Sequence, residues 1–171
     1  FIGLLTTVVS SINPAFLSAQ NLRDIAVQAA PVCIISCGVM LVLVAGEIDI
    51  SVGSMMGVLA ASMGIMVSAS RAQLPPHVAI ALTLLIGIGM GLFNGLLVAY
   101  VGVPSIIVTL GMLTTLRGLT EIIMNGAWIT DLPEEIRFLG TGTILSIPLS
   151  LWTTACVLAV TMWLIHRTPL G

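Results

Sequence analysis

The chain has no lysine, and its positive charge rests on five arginines. A formal net charge of -2 leaves no basic patch, which argues against a nucleic-acid partner. Charge of either sign is scarce. It accounts for 7% of the 171 residues, against about a quarter in an average soluble domain. Five basic and seven acidic side chains cannot solvate the surface of a water-soluble domain of this length. Cysteine is sparse as well: Cys33, Cys37 and Cys156 all lie in apolar runs, which argues against a disulfide framework. Cys33 and Cys37 share a helical face at i, i+4 and read as small packing residues, with no further metal ligands nearby. The sequence contains no Walker-type phosphate loop, no Ser-His-Asp pattern and no HExxH. Those absences exclude ATP hydrolysis by that route and the familiar hydrolytic sites. No signal peptide is legible. Phe1 is not a start methionine and the first apolar run begins abruptly, so the N-terminus reads as cut.

What is present is hydrophobicity. Hydrophobic residues make up 58% of the chain and the mean hydropathy is +1.19. A membrane-crossing helix needs about 20 predominantly apolar residues. Five full candidates meet that length: Ile25 to Ala45, Ile50 to Ala69, Val78 to Val101, Ser105 to Met124 and Ile144 to Ile165. A sixth, Phe1 to Val9, is partial. The expected fold is all-α, a polytopic transmembrane bundle of about six segments with the first one truncated. Residues 1–171 form a single domain in this reading.

The joins carry loop chemistry. Pro14 and Asn21 are expected to break the chain between the first two runs, and Pro75-Pro76 to stop any helix after the third. "NGAWITDLPEEIRFLGTG", Asn125 to Gly142, is the most polar stretch. There Asp131 could cap a short helix, with Glu134 as its capping-box partner. Trp128, Trp163, His77 and His166 suit the membrane interface. Arg23, Arg71 and Arg137 fall on one side and Arg167 on the other, so arginine counting places the loop from Asn125 to Gly142 in the cytoplasm.

Several features interrupt the apolar pattern. Gly87, Gly91 and Gly95 recur every four residues, and Gly53, Gly57 and Ala61 repeat that spacing one run earlier. Such stripes let helix backbones approach closely. Asn94 is a buried amide that either bonds across helices or lines a wet path. Arg117 and Glu121, four apart, are placed to form an ion pair or a gate, on a face that meets protein or water rather than lipid. "GEIDISVGS", Gly46 to Ser54, holds Glu47 and Asp49 between two apolar runs. A carboxylate in lipid is costly. The economical reading is a structural bend of Gly46, Glu47, Asp49, Ser51 and Gly53, with Asp49 capping the next helix.

These same residues carry a resemblance. "GVMLVLVAGEIDISVGSMMGV" resembles the GGIDLSVGS segment in permease subunits of sugar-type ABC importers. Glu47 stands where a second glycine is usual there. "GLFNGLLVAYVGVPSIIVTLGMLTTLRGL", Gly91 to Leu119, resembles the family's next block, "INPAFLSAQNL" its early loop, and "HRTPLG" its exit from the sixth run. The resemblance implies an inner-membrane subunit that pairs with a second permease, as homo- or heterodimer. Cytoplasmic ATP-binding subunits and a periplasmic solute-binding protein complete the machine. ATP would be used by the partner, with no cofactor in this chain. The stretch from Asn125 to Gly142 looks most like the rhamnose or autoinducer-2 branches, and the resemblance puts it in the periplasm, against the arginine count. It also implies a chain of about twice this length, so these residues are read as an N-terminal half, from a fragment or a broken gene. Asn94, Thr109, Arg117 and Glu121 are the candidates for a translocation path or gate. The competing reading is an ion- or proton-coupled transporter or channel, with Glu47, Asp49, Arg117 and Glu121 as coupling sites.

Overall fold

The computed structural model describes residues 1–167, the side chains of Ile2 and Pro14 excepted. It is helical almost throughout. The elements in order are α1 (Ile2–Ile12), a 3-10 turn (Pro14–Leu17), α2 (Ala19–Val44), α3 (Val52–Val67), α4 (Pro76–Ala99) and α5 (Ser105–Met124). The short α6 (Glu134–Thr141), a two-stranded hairpin (β1 Thr143–Ile144, β2 Ile147–Pro148) and α7 (Leu149–Arg167) follow. Four of the helices, α2, α4, α5 and α7, are long and apolar enough to cross a membrane. An all-α polytopic bundle is therefore what the chain forms. The last four residues of the "HRTPLG" exit lie outside the described residues.

Several boundaries differ from expectation, each for a local reason. Asn21 is not a breaker. Ser18 is the N-cap of α2, its hydroxyl oxygen accepting from the Asn21 N–H at 3.2 Å. The Asn21 amide in turn donates to the Phe16 carbonyl at 2.7 Å. This start lets α2 begin about a turn and a half before Ile25. Pro76 opens α4 instead of stopping a helix, because a first-turn residue needs no N–H donor. The run expected from Ile144 begins its helix only at Leu149. Leu145 and Ser146 both have positive φ and turn the chain in a two-residue hairpin instead. The third run is also shorter than expected, at 16 residues. Such a helix is about 24 Å long, less than the roughly 30 Å of a hydrocarbon core.

The packing is that of a membrane protein. Buried positions are mostly small or polar, among them Ala30, Cys37, Val58, Ala61 and Ala79, with Ser51, Asn94, Thr109, Thr154 and Thr161; Leu116 is the large apolar exception. The large apolar side chains point outward, as Leu84, Leu85, Ile88 and Leu92 do along α4. In lipid no hydrophobic force sorts Leu inward, so close backbone approach and interhelical hydrogen bonds decide what is inside. α3 packs against α4 and most extensively against α5, while α2 packs against α7. The Thr154 hydroxyl bonds the Ser150 carbonyl at 2.7 Å within α7 and lies 3.4 Å from the Ala30 carbonyl on α2.

The glycine stripes divide. A Cβ at Gly57 would meet the Thr120 hydroxyl oxygen at 3.2 Å, and one at Gly87 would meet Leu59 at 3.5 Å. Those two glycines do sit at helix contacts. Gly91 and Gly95, expected at a close crossing, have nothing within 4 Å of an added Cβ. The α3 contact at Gly87 does not continue along α4 to them.

Candidate functional site

The bend from Gly46 to Ser54 is held by backbone geometry first and side chains second. Gly46 ends α2 at φ +80°, a conformation that favours glycine. Its N–H bonds the Leu43 carbonyl at 2.9 Å, and the Glu47 N–H bonds the Val42 carbonyl at 3.1 Å. That pair of bonds is a Schellman ending, which satisfies carbonyls the helix would otherwise leave free. The chain then runs without regular secondary structure to Ser51. Ser105, at the start of α5, accepts the Ile48 N–H at 3.3 Å, and the Thr109 hydroxyl approaches the Ile48 carbonyl at 3.5 Å.

Asp49 takes a different role from the one expected. It does not cap the first turn of α3. Its Oδ1 accepts from the Ser51 N–H at 2.7 Å and the Ser51 hydroxyl at 2.6 Å. Ser51 is itself the N-cap residue and makes no side-chain cap bond. An Asp two residues ahead of its partner closes an Asx turn, and that local ring competes successfully with capping. The Ser51 oxygen, its proton given to Asp49, accepts from the Asn94 amide at 3.3 Å. Ser51 is 0% exposed, Thr109 3% and Asn94 6%. The result is one buried polar knot joining the bend to α4 and α5. Asn94 Oδ1 is buried without a partner among the described residues. Among the described residues the Glu47 side chain takes no part in the knot.

A second feature lies beside the first. A cavity of about 600 Å³ opens between α3, α5 and the residues that follow α5. Ser54, Gly57, Arg117, Thr120, Glu121 and Trp128 are among its lining residues. A smaller cavity of about 220 Å³ shares Gly57, Thr120, Met124 and Trp128 with it. Arg117 and Glu121 share this one surface, as their spacing implies, but no ion pair joins them among the described residues. Both are exposed in this chain. Fixing two long side chains in one geometry costs entropy that an exposed i, i+4 contact recovers poorly. Of the four residues expected on a path, Arg117 and Glu121 line the cavity, while Asn94 and Thr109 belong to the knot. Gly53 bridges the two features, as a cavity-lining residue in the first turn of α3.

The rim of this region is fixed by Asp131, again not as expected. Pro133, not Asp131, is the N-cap of α6, and no side-chain cap is made there. Asp131 instead reaches back to the end of α3. Its Oδ2 accepts from the Ser68 hydroxyl and the Ser70 N–H, both at 2.8 Å. The Asp131 carbonyl accepts from the Ala69 N–H at 3.4 Å. Hydrogen bonding from Ser70, then Ser68, lowers the Asp131 carboxyl to about 2. The sequence reasoning missed Ser68, Ser105 and Thr120. Ser105 had one local signal, its place at a helix start after Pro104. Ser68 had none, since its partner is more than sixty residues away.

Residues 21–171 match the family model described as "Branched-chain amino acid transport system / permease component". The chain is 35% identical to the autoinducer 2 import system permease protein LsrC of Escherichia coli (strain K12 / DH10B), over 99% of this chain and 50% of that protein. It is 36% identical to the ribose import permease protein RbsC of Haemophilus influenzae, over 98% of this chain and 52% of that protein. Against LsrC of Photorhabdus laumondii the figures are 33%, 96% and 48%. The chain thus spans about half the length of the curated relatives it matches. No solved structure matches it. Its apolar helices make it a multi-pass protein, placed in the bacterial inner membrane. A family match over most of its length, on a bundle of spanning helices, establishes that the chain belongs to the family of branched-chain amino acid transport system permease components.

Proposed function

We propose that the chain is part of the permease subunit of an ATP-binding cassette importer, and that it helps form the path of a sugar or sugar-like solute across the inner membrane. The observation that carries this reading is the family match from residue 21 to residue 171. The cargo class is taken from relatives named for the import of autoinducer 2 and ribose. The expected partners are a second permease subunit, cytoplasmic ATP-binding subunits and a periplasmic solute-binding protein. ATP is hydrolysed in the partner, and this chain contributes neither a catalytic group nor a cofactor. In the same reading the loop from Asn125 to Gly142 faces the periplasm, so the cavity rimmed by Trp128 faces incoming solute.

The physical parts suit such a role. The knot of Asp49, Ser51, Asn94 and Thr109 ties α3, α4 and α5 into one body. Small residues at the α3–α5 contact keep the backbones close enough to move together. The energy source tests the proposal. The full-length subunit is reconstituted in liposomes with its ATP-binding and solute-binding partners, and uptake of labelled ribose and autoinducer 2 is measured. Uptake that requires ATP and the binding protein is expected. Uptake driven by an ion or proton gradient without the ATP-binding subunits would refute it and favour the coupled-transporter reading.

A further inference from the structure

We propose that the cavity between α3 and α5 is a contact site for a neutral polyhydroxylated solute, anchored by Arg117 and Glu121 and backed by Trp128. The inference rests on the transport reading above and names the residues that would touch the cargo.

The cavity has the size and lining of a small-molecule site. Its volume of about 600 Å³ lies within the roughly 300–1,000 Å³ of such sites, which are mostly apolar with a few placed polar groups. Leu113, Met124 and the indole of Trp128 form the apolar part. The polar part is unusual for a span. Arg117 and Glu121 stand one turn apart on α5, and their side chains make no hydrogen bond or ion pair among the described residues. Ionisable groups at membrane depth face protein or water and mark solute paths.

The chemistry of the lining selects the class of ligand. One guanidinium and one carboxylate leave no excess charge, so neither a free anion nor a cation is favoured. Arg117 can only donate, and Glu121 when ionised can only accept. A ligand that satisfies both needs donors and acceptors side by side, which is what neighbouring hydroxyls supply. Two more hydroxyls on the wall are committed in one direction. Ser54 donates to the Ser51 carbonyl at 2.7 Å, and Thr120 donates to the Leu116 carbonyl at 2.9 Å. Both therefore turn lone pairs outward and add acceptors for a polyol. Trp128 is 90% exposed and lies just past Asn125 and Gly126, whose positive φ values turn the chain out of α5. An indole in that position offers a flat apolar face to a sugar ring and one N–H donor.

The test uses the full-length subunit, assembled with its partners in liposomes, with D-ribose and autoinducer 2 as probes. Arg117→Gln and Glu121→Gln are each expected to lower the initial uptake rate about tenfold, the size of one lost charge-assisted hydrogen bond. Trp128→Ala should lower it about three- to tenfold, and Trp128→Phe should stay within about twofold of wild type. A second measurement is independent of turnover and of the charge variants. Thr120→Cys, in a background lacking Cys33, Cys37 and Cys156, is labelled with a membrane-impermeant thiol reagent. The transported probe should slow labelling. That result decides the matter if either charge variant fails to fold. Wild-type uptake of a probe, with the variants within twofold and labelling unprotected, overturns this inference and leaves the transport reading standing. Wild-type protein that takes up neither probe overturns both.

Discussion

Replacing Asp49 with leucine is expected to unfold the bend. The carboxylate makes two bonds to Ser51, at 2.7 Å to its N–H and 2.6 Å to its hydroxyl. Ser51 is 0% exposed, so water cannot take over either bond. A buried donor left unpaired costs about 1–3 kcal/mol. The Ser51 hydroxyl has one fallback, the Met55 sulfur at 3.6 Å, which is a weak acceptor. With that relief, Asp49→Leu should destabilise the fold by about 2–4 kcal/mol. Asparagine keeps an oxygen at the Oδ1 position and loses only the charge assistance. Asp49→Asn should therefore cost about 1 kcal/mol. The assay is equilibrium unfolding of the full-length subunit by SDS in mixed micelles, followed by far-UV circular dichroism. If Asp49→Leu unfolds within about 1 kcal/mol of wild type, or no more easily than Asp49→Asn, the Asx turn does not hold the bend. If it folds normally and only the affinity for cargo changes, the carboxylate belongs to the transport path.

Three further outcomes are expected. Asp131 has its folded pKa lowered to about 2 from 3.8. Its clamp on Ser68 and Ser70 is then fully present above about pH 4 and lost as pH falls towards 2. The protection of the Ser70 amide against hydrogen exchange, relative to its intrinsic rate at each pH, should fall over that window, and in Asp131→Asn it should show no such acid step. Asn94→Leu should lower folded yield in detergent more than Leu97→Ala does, because the Ser51 oxygen loses its buried donor; equal yields would mean that the 3.3 Å bond contributes nothing. Gly57→Leu should lower yield more than Gly91→Leu, since a Cβ at Gly57 meets Thr120 at 3.2 Å while Gly91 has open space; the reverse order would place a helix against Gly91 that this segment does not supply.

The bend and the loops mark where local reading stopped. Glu47 and Asp49 were legible as exceptional because carboxylates are rare in apolar runs, and Asp49 was legible as structural from its place before a helix. The form of its role was not. An N-cap and an Asx turn need the same residue types within two positions, and the choice depended on Ser51 being buried beneath α4. Asp131 shows the same failure at longer range. Its spacing from Glu134 fits a capping box, yet two donors at the end of α3 won the carboxylate. Arg117 and Glu121 were correctly placed on one surface by helical period alone. Whether they pair was beyond that period, because it depends on how open the surface is. Pro76 ends the linker and opens α4 at once, because proline stops a helix from one side and starts it from the other.

The sequence by itself determined the class, the bundle and most of the spans. Hydropathy over twenty residues and the exclusion of charge are properties of each segment alone, and the bilayer imposes the helix on any such segment. Local chemistry also accounted for Gly46 as a turn. The tertiary structure alone decided which small residues are packed and which polar groups meet. Gly57 and Gly91 occupy equivalent positions in equivalent stripes, and only the placement of α5 separates them. Ser51, Asn94 and the pair Ser105 and Thr109 lie on three separate stretches of chain, the bend, α4 and α5, and their meeting is a consequence of helix docking. Hydrogen bonds of this kind carry no periodic signature, because each donor is chosen by distance in space and not by distance along the chain.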